Sequence, residues 1–190
     1  MKTSVIVQPA ALPVSLADLR AHLWNIYDNH DDDVLMTDLL TTATGRAETI
    51  TGRKLITQTC RALTTETGMI QLPFGEFQSL VTVEWFDGTD WAEISTDDIL
   101  VNDTKTLAEI TVTWTGYDIT DLEKVRYDWI CGFGDPVEVP AEITMAIKQI
   151  AAHWYRNRAA TTTDEDDGAV RVVPFSFSAL LNSHRLNLII

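Results

Sequence analysis

The sequence predicts an α+β fold: two N-terminal helices, one long helix near 141–158 and a short C-terminal helix, flanking an inserted antiparallel β region. Three observations predict it. Apolar residues recur every three or four positions at both ends of the chain; they alternate through the middle; and glycine or proline marks each change of period. Three segments follow: a helical part at 1–54, a β region at 55–135, and a C-terminal part at 136–190. The two helical parts are expected to share one core.

The first helix is expected over about 15–27. Ser15 with Asp18 three residues later reads as a capping box, and Leu16, Leu19, Leu23 and Ile26 follow at helical spacing. The acidic run Asp28 to Asp33 ends it and places negative charge at the positive end of the next helix. Leu35, Leu39, Ala43, Ala47 and Ile50 mark the second helix, which stops at Gly52, a residue that tolerates the left-handed cap. From Leu55 the composition turns to β-type, with Thr57, Thr59, Leu63 and Thr65 before a turn at Gly68. Leu80–Phe86 reads as a strand, and Asp87-Gly88 is a hairpin signal before Trp91–Ile94 because the tight turn needs positive φ. Ile110–Trp114 and Val125–Ile130 alternate as two more strands. Gly132 to Pro136 closes the β region. Pro140 suits a helix start, and Ile143, Ala146, Ile147, Ile150, Ala151, Trp154 and Tyr155 stripe the long helix. Thr161–Gly168 reads as a solvated acidic loop before a last helix at about 176–184.

Composition excludes several classes. A net charge of −14 argues against a surface that grips nucleic acid, because that affinity comes largely from Lys and Arg displacing counterions. Two cysteines, Cys60 and Cys131, are too few for a disulfide scaffold, and both fall in expected strands as small buried hydrophobes. No apolar run approaches the length needed to cross a bilayer, and the first residues lack a signal-peptide core, so a cytosolic product is expected.

A catalytic reading finds little support. Gly132-Phe133-Gly134 follows a strand as a dinucleotide loop would, but it lacks the third glycine, and a strand-ending turn is the simpler reading. The acidic runs lack the ligand alternation of a calcium loop, and His22, His30, His153 and His184 lack metal-ligand spacing. No catalytic residue, metal site or cofactor is assigned. A carboxylate pair drawn from distant positions leaves a small hydrolase as a minor alternative.

The order of motifs resembles the phage head-tail connector (adaptor) proteins, in the phiE125 gp8 branch related to the HK97 gp6-like connectors. The resemblance rests on six segments in order: Leu16–Leu23; Glu48–Thr59 with its Gly52-Arg53 and Gln58-Thr59; Leu72-Pro73-Phe74-Gly75 leading to Ser79–Val83; the Asp87-Gly88 turn; Val139–Ile143 with His153–Arg158; and Val173-Pro174-Phe175 with Ala179-Leu180-Leu181 and Arg185. It implies a connector-type helical bundle carrying an inserted β region. It also implies a non-enzymatic virion protein at the head-tail interface, assembled from host cytoplasm. Identical subunits, typically twelve, would form a ring under the portal, joined below to a neck, stopper or tail-terminator protein. DNA would pass through without specific binding, and no membrane is involved. Another neck or tail-completion protein is the alternative reading.

In that frame the portal-docking candidates are Phe175, Phe177, Leu180, Leu181, Arg185, Leu188, Ile189 and Ile190, a segment too apolar for a free tail. Folding back onto the chain's own core is the competing reading. Subunit-interface candidates are His153, Tyr155, Arg156 and Arg158. From Ala62 to Thr104 there are nine acids and no Lys or Arg. Glu84, Asp87, Asp90, Asp97 and Asp98 are candidates for a channel-facing surface that repels phosphate, with an outer solvated face equally open.

Overall fold

The computed structural model describes residues 1–23, 32–86, 88–104, 106–117, 124–157 and 176–186. The chain divides into two compact units, Met1–Ala11 with Gly52–Asp135, and Leu12–Thr51 with Pro136–Ile190.

The first unit is built from strands. A five-stranded antiparallel sheet runs in the order β1-β2-β8-β4-β5, with β1 at Lys2–Val7, β2 at Gln58–Thr64, β4 at Phe77–Phe86, β5 at Trp91–Glu93 and β8 at Lys124–Cys131. A three-stranded sheet runs β3-β7-β6, from Ile70–Gln71, Glu109–Val112 and Ile99–Asn102. Strand β2 shows why the sheet forms: Gln58, Cys60, Ala62 and Thr64 are buried, while Thr59, Arg61 and Leu63 are half-buried on the other face. The two sheets share one core, in which Cys60, Ala62, Val83, Tyr127 and Trp129 meet Ile70, Ile110 and Val112. Cys60 and Cys131 are both buried, with their sulfurs 3.6 Å apart. The β4–β5 hairpin pairs Phe86 with Trp91, and Gly88 has the positive φ (96°) that the Asp-Gly signal anticipates.

The Gly132-Phe133-Gly134 segment ends β8. Gly132 has φ 124°, and a Cβ there would lie 2.5 Å from the Ile56 carbonyl oxygen, so only glycine fits. Its N–H donates to the Glu76 carbonyl at 3.0 Å, and its own carbonyl accepts from Gln78 Nε2 at 2.8 Å. Three strands were not anticipated from sequence. β1 occupies residues read as part of the helical N-terminus, β3 has only two residues, and β6 is a short apolar run without alternation.

The second unit is helical: α1 (Leu16–Leu23), α2 (Asp33–Thr51), α3 (Ala141–Arg156) and α4 (Ser176–Asn182). α3 packs on α1, α2 and α4, and α2 also meets α1 and α4. On α3 the core takes Ile143, Ala146, Ile147, Ile150 and Ala151 of the expected stripe, leaving Trp154 and Tyr155 half-buried. On α2 the face is turned by one residue, so that Met36, Leu40, Ala43, Ala47 and Thr51 are buried while Leu35, Leu39 and Ile50 are half-buried at its edge. The capping box forms: the Asp18 N–H donates to Ser15 Oγ at 3.1 Å, and the Ser15 N–H donates back to an Asp18 carboxylate oxygen at 3.3 Å. That contact with Ser15, aided by Lys148, holds the Asp18 carboxyl below its ordinary pKa. α2 stops where Gly52 takes φ 70°. Pro140 stands immediately before α3, and Asn157 ends that helix, its N–H and side-chain amide both donating to the His153 carbonyl. Positions 24–27 of the expected first helix and the acidic loop 161–168 lie outside the described residues.

Candidate functional site

Among the described residues no group of three or more His, Cys, Asp or Glu side chains is placed to hold a metal ion, and no helix is long and apolar enough to cross a membrane. The sequence candidates that fall among the described residues differ in burial and partners.

Near the end of α3, His153 and Tyr155 are half-buried and Arg156 is exposed. The Tyr155 hydroxyl donates to Asp32 Oδ2 at 2.6 Å, tying the helix end to the start of α2. Tyr155 is therefore anchored within its own unit, while Arg156 projects outward. Lys148 and Arg156 lie near enough to His22 to hold its pKa below the ordinary value; partial burial contributes the larger share of that shift. Arg158 lies outside the described residues.

On α4, Leu181 is fully buried and the following Leu186 nearly so, its N–H donating to the Thr51 carbonyl at 2.8 Å. Leu181 thus belongs to the unit's own core. Phe177 and Leu180 are half-buried and Arg185 is exposed, which makes them the part of this segment open to a neighbour. His184 reaches Glu142 of α3 at 3.5 Å. Phe175, Leu188, Ile189 and Ile190 lie outside the described residues.

The acidic candidates of the β unit differ in kind. Glu84 is half-buried and ion-paired with Arg126, directly across the β4–β8 ladder, and the Arg126 guanidinium also lies 4.4 Å from the centre of the Trp91 ring. Asp98 accepts the Tyr117 hydroxyl at 2.8 Å, and Ser95 Oγ accepts the Asp97 N–H at 3.4 Å. Asp90 and Asp97 are exposed. Asp87 lies outside the described residues. Two further carboxylates, which no sequence motif marks, are buried. Asp128 receives both Arg61 Nε and Nη2, at 2.7 and 2.6 Å, and Glu109 accepts from the Gln71 and Asn102 side-chain amides. The Arg61 guanidinium is held more basic than usual, chiefly by its hydrogen bonds to Asp128. Finally, the two sheets end in edge strands: β1 and β5 bound the larger sheet, and β3 and β6 the smaller. The signal for these in sequence is faint, namely the β-branched run Val5-Ile6-Val7 and the apolar run Ile99-Leu100-Val101.

Comparison with known proteins sets these surfaces in context. Residues 116–185 match the family model described as phage gp6-like head-tail connector protein. No curated protein matches the sequence. Among solved structures, a chain from the neck of an empty gene transfer agent particle, computed with C6 symmetry, aligns with a TM-score of 0.78 at 19% identity, covering 100% of this chain and 98% of that one. A chain from the virion of the native gene transfer agent particle gives 0.79 at 18% identity with the same coverage. One from the neck of the native particle, computed with C12 symmetry, gives 0.72 at 19% identity, again over 100% and 98%. At these identities the likeness shows a shared fold, along the full length of both chains.

Proposed function

We propose that this chain is a head-tail connector: a structural, non-enzymatic neck protein whose identical copies form a ring beneath the portal of a tailed phage or gene transfer particle. The ring joins the portal to the next neck or tail component and leaves an axial channel for DNA. One observation carries the reading. The segment matching the connector family contains α3 and α4, and the whole chain shares its fold with a chain in gene transfer agent necks. The C12 and C6 symmetries of those necks support twelve subunits as the expected number.

The four packed helices are read as the connector-type bundle, with strands β2 to β8 inserted between α2 and α3 and β1 preceding α1. Phe177, Leu180 and Arg185 are proposed as portal contacts, together with Phe175, Leu188, Ile189 and Ile190. Exposure of Arg185 and partial exposure of Phe177 and Leu180 support this. His153, Tyr155, Arg156 and Arg158 are proposed at the subunit boundary, Arg156 being the exposed cation among the described members. Asp90 and Asp97, both exposed, are proposed with Asp87, Glu84 and Asp98 as acids that repel DNA at a channel wall.

The test is assembly. Purified full-length chain, alone and mixed with its portal, is measured for mass and imaged by cryo-electron microscopy. A ring stacked on the portal is expected. A monomer indifferent to portal at every concentration would overturn the reading.

A further inference from the structure

Edge strands with exposed apolar side chains are unstable companions for a soluble, long-lived particle, because their unpaired backbone groups recruit other strands. Two edges of the β unit have this character. In β1, only Val5 is partly buried; Ile6 is 42% and Val7 56% exposed, and among the described residues β1 pairs with β2 alone. In β6, Leu100 is 68% and Val101 37% exposed, and among the described residues β6 pairs with β7 alone. The other two edges are very short: β3 has two residues and β5 three.

We infer that β1 of one copy adds antiparallel to the β6 edge of the next copy, joining the larger sheet of one subunit to the smaller sheet of its neighbour. Choosing a second copy as the occupant rests on the ring reading above. Three features of the strands favour this pairing. The exposed apolar residues match in place, Val5 to Val7 against Leu100 and Val101, so pairing removes both groups from water. The charges are complementary: β1 carries Lys2 as its only charge, and β6 is followed by the exposed Asp103. Antiparallel alignment brings the Lys2 end of β1 to the Asp103 end of β6. The edges also differ from each other, so the contact is head-to-tail, and a repeated head-to-tail contact closes into a ring when its rotation permits. Pairing of β1 with a second β1 would instead be two-fold symmetric, would place Ile6 near Ile6, and would stop at a dimer.

The experiment uses the full chain. Sedimentation over rising concentration is combined with amide hydrogen exchange, on wild type, Leu100→Lys, Ile6→Asp, and the double cysteine variant Ile6→Cys with Leu100→Cys, which face each other in this register. Expected are association beyond a dimer, slowed exchange in both 2–7 and 99–102 on association, and a covalent ladder from the double cysteine variant under mild oxidation. Leu100→Lys and Ile6→Asp each weaken association at least about tenfold, while circular dichroism and melting of the dilute chain stay close to wild type because both side chains are exposed. Rings in which either segment still exchanges freely overturn the edge pairing and leave the connector reading standing. A cross-linked product that stops at a dimer, or association unchanged by Leu100→Lys, also overturns it. A chain that stays monomeric both alone and with portal overturns both.

Discussion

Tyr127 offers the sharpest test of the core. It is fully buried on β8, and its hydroxyl has no hydrogen-bond partner among the described residues. A buried hydroxyl without a partner costs about 1–3 kcal/mol relative to a solvated one. Tyr127→Phe removes that oxygen and keeps the ring, so no cavity forms. The variant is expected to be at least as stable as wild type, by up to about 1–2 kcal/mol, a rise in Tm of about 2–8 °C for a chain of this size.

The same burial sets a pH signature. Removal from water, helped by the Glu66 carboxylate, pushes the Tyr127 phenol up to about 12 from its ordinary value of 10.0. The folded-state value is raised, so the phenol is neutral in both states below pH 10 and its effect on stability is constant there. As pH rises from 10 towards 12 the unfolded chain loses the proton and the folded one keeps it, so stability falls. Two units at about 1.4 kcal/mol each bound the loss near 3 kcal/mol. Urea unfolding followed by tryptophan fluorescence, with Trp129 in the same core, is run from pH 7 to 12 on both proteins. Wild type should lose stability more steeply than Tyr127→Phe above pH 10. Equal alkaline slopes would refute the reasoning because they mean that water reaches the phenol, and a Phe variant weaker by more than about 1 kcal/mol at pH 7 would refute it because the hydroxyl is then satisfied.

Gly132→Ala should cost well over about 1 kcal/mol, because it combines a positive φ with a backbone clash that no rotamer relieves; thermal denaturation measures it. The Arg61–Asp128 pair should respond unequally, since the Arg61 side chain is 30% exposed and that of Asp128 only 6%. Arg61→Ala strands a buried carboxylate and is expected to cost about 2–3 kcal/mol, less than the full penalty because some water reaches the pair; Asp128→Ala should cost less, and a double-mutant cycle in urea gives the coupling. Ser15→Ala removes the reciprocal cap and should lower stability by about 1 kcal/mol. Because Asp18 is depressed in the folded state, the wild-type advantage is present above its ordinary value of 3.8 and fades as pH falls through the folded value, which acid titration of both proteins resolves. Leu181→Ala should destabilise the chain by about 2–5 kcal/mol through a core cavity, whereas Arg185→Ala should leave melting unchanged and weaken portal capture.

The helices were legible because their information is local: the Ser15–Asp18 cap, the Gly52 stop and the α3 stripe all lie within one element. The β4–β5 hairpin was legible for the same reason, since Gly88 fixes its turn. What escaped depends on partners distant in sequence. β1 is a strand because β2 pairs with it, placing Lys2 opposite Leu63, and nothing in Lys2–Val7 specifies that partner. Arg61 and Asp128 stand 67 residues apart and meet only through the β2–β8 register. The same register turns Tyr127 inward with its hydroxyl. Of the candidate surfaces, the sequence located the apolar C-terminal segment, but only packing separates the buried Leu181 from the half-exposed Phe177 and Leu180.

Charge then constrains how copies can meet. Identical chains of net charge −14 repel one another, so a ring must place apolar contacts or cation–acid pairs where subunits touch. Many cations are already engaged within the chain: Arg20 with Asp33, Arg53 with Glu76, Arg61 with Asp128 and Arg126 with Glu84, while Lys54 and Lys124 lie over Phe74 and Phe86. An interface built mainly from ion pairs would weaken as salt rises. One built on the β1 and β6 edges would strengthen, because screening removes the long-range repulsion and leaves burial of Ile6, Val7 and Leu100 intact. Tighter association at high ionic strength is therefore expected, and association that dissolves in salt would shift the subunit contact away from the strand edges towards Lys148 and Arg156.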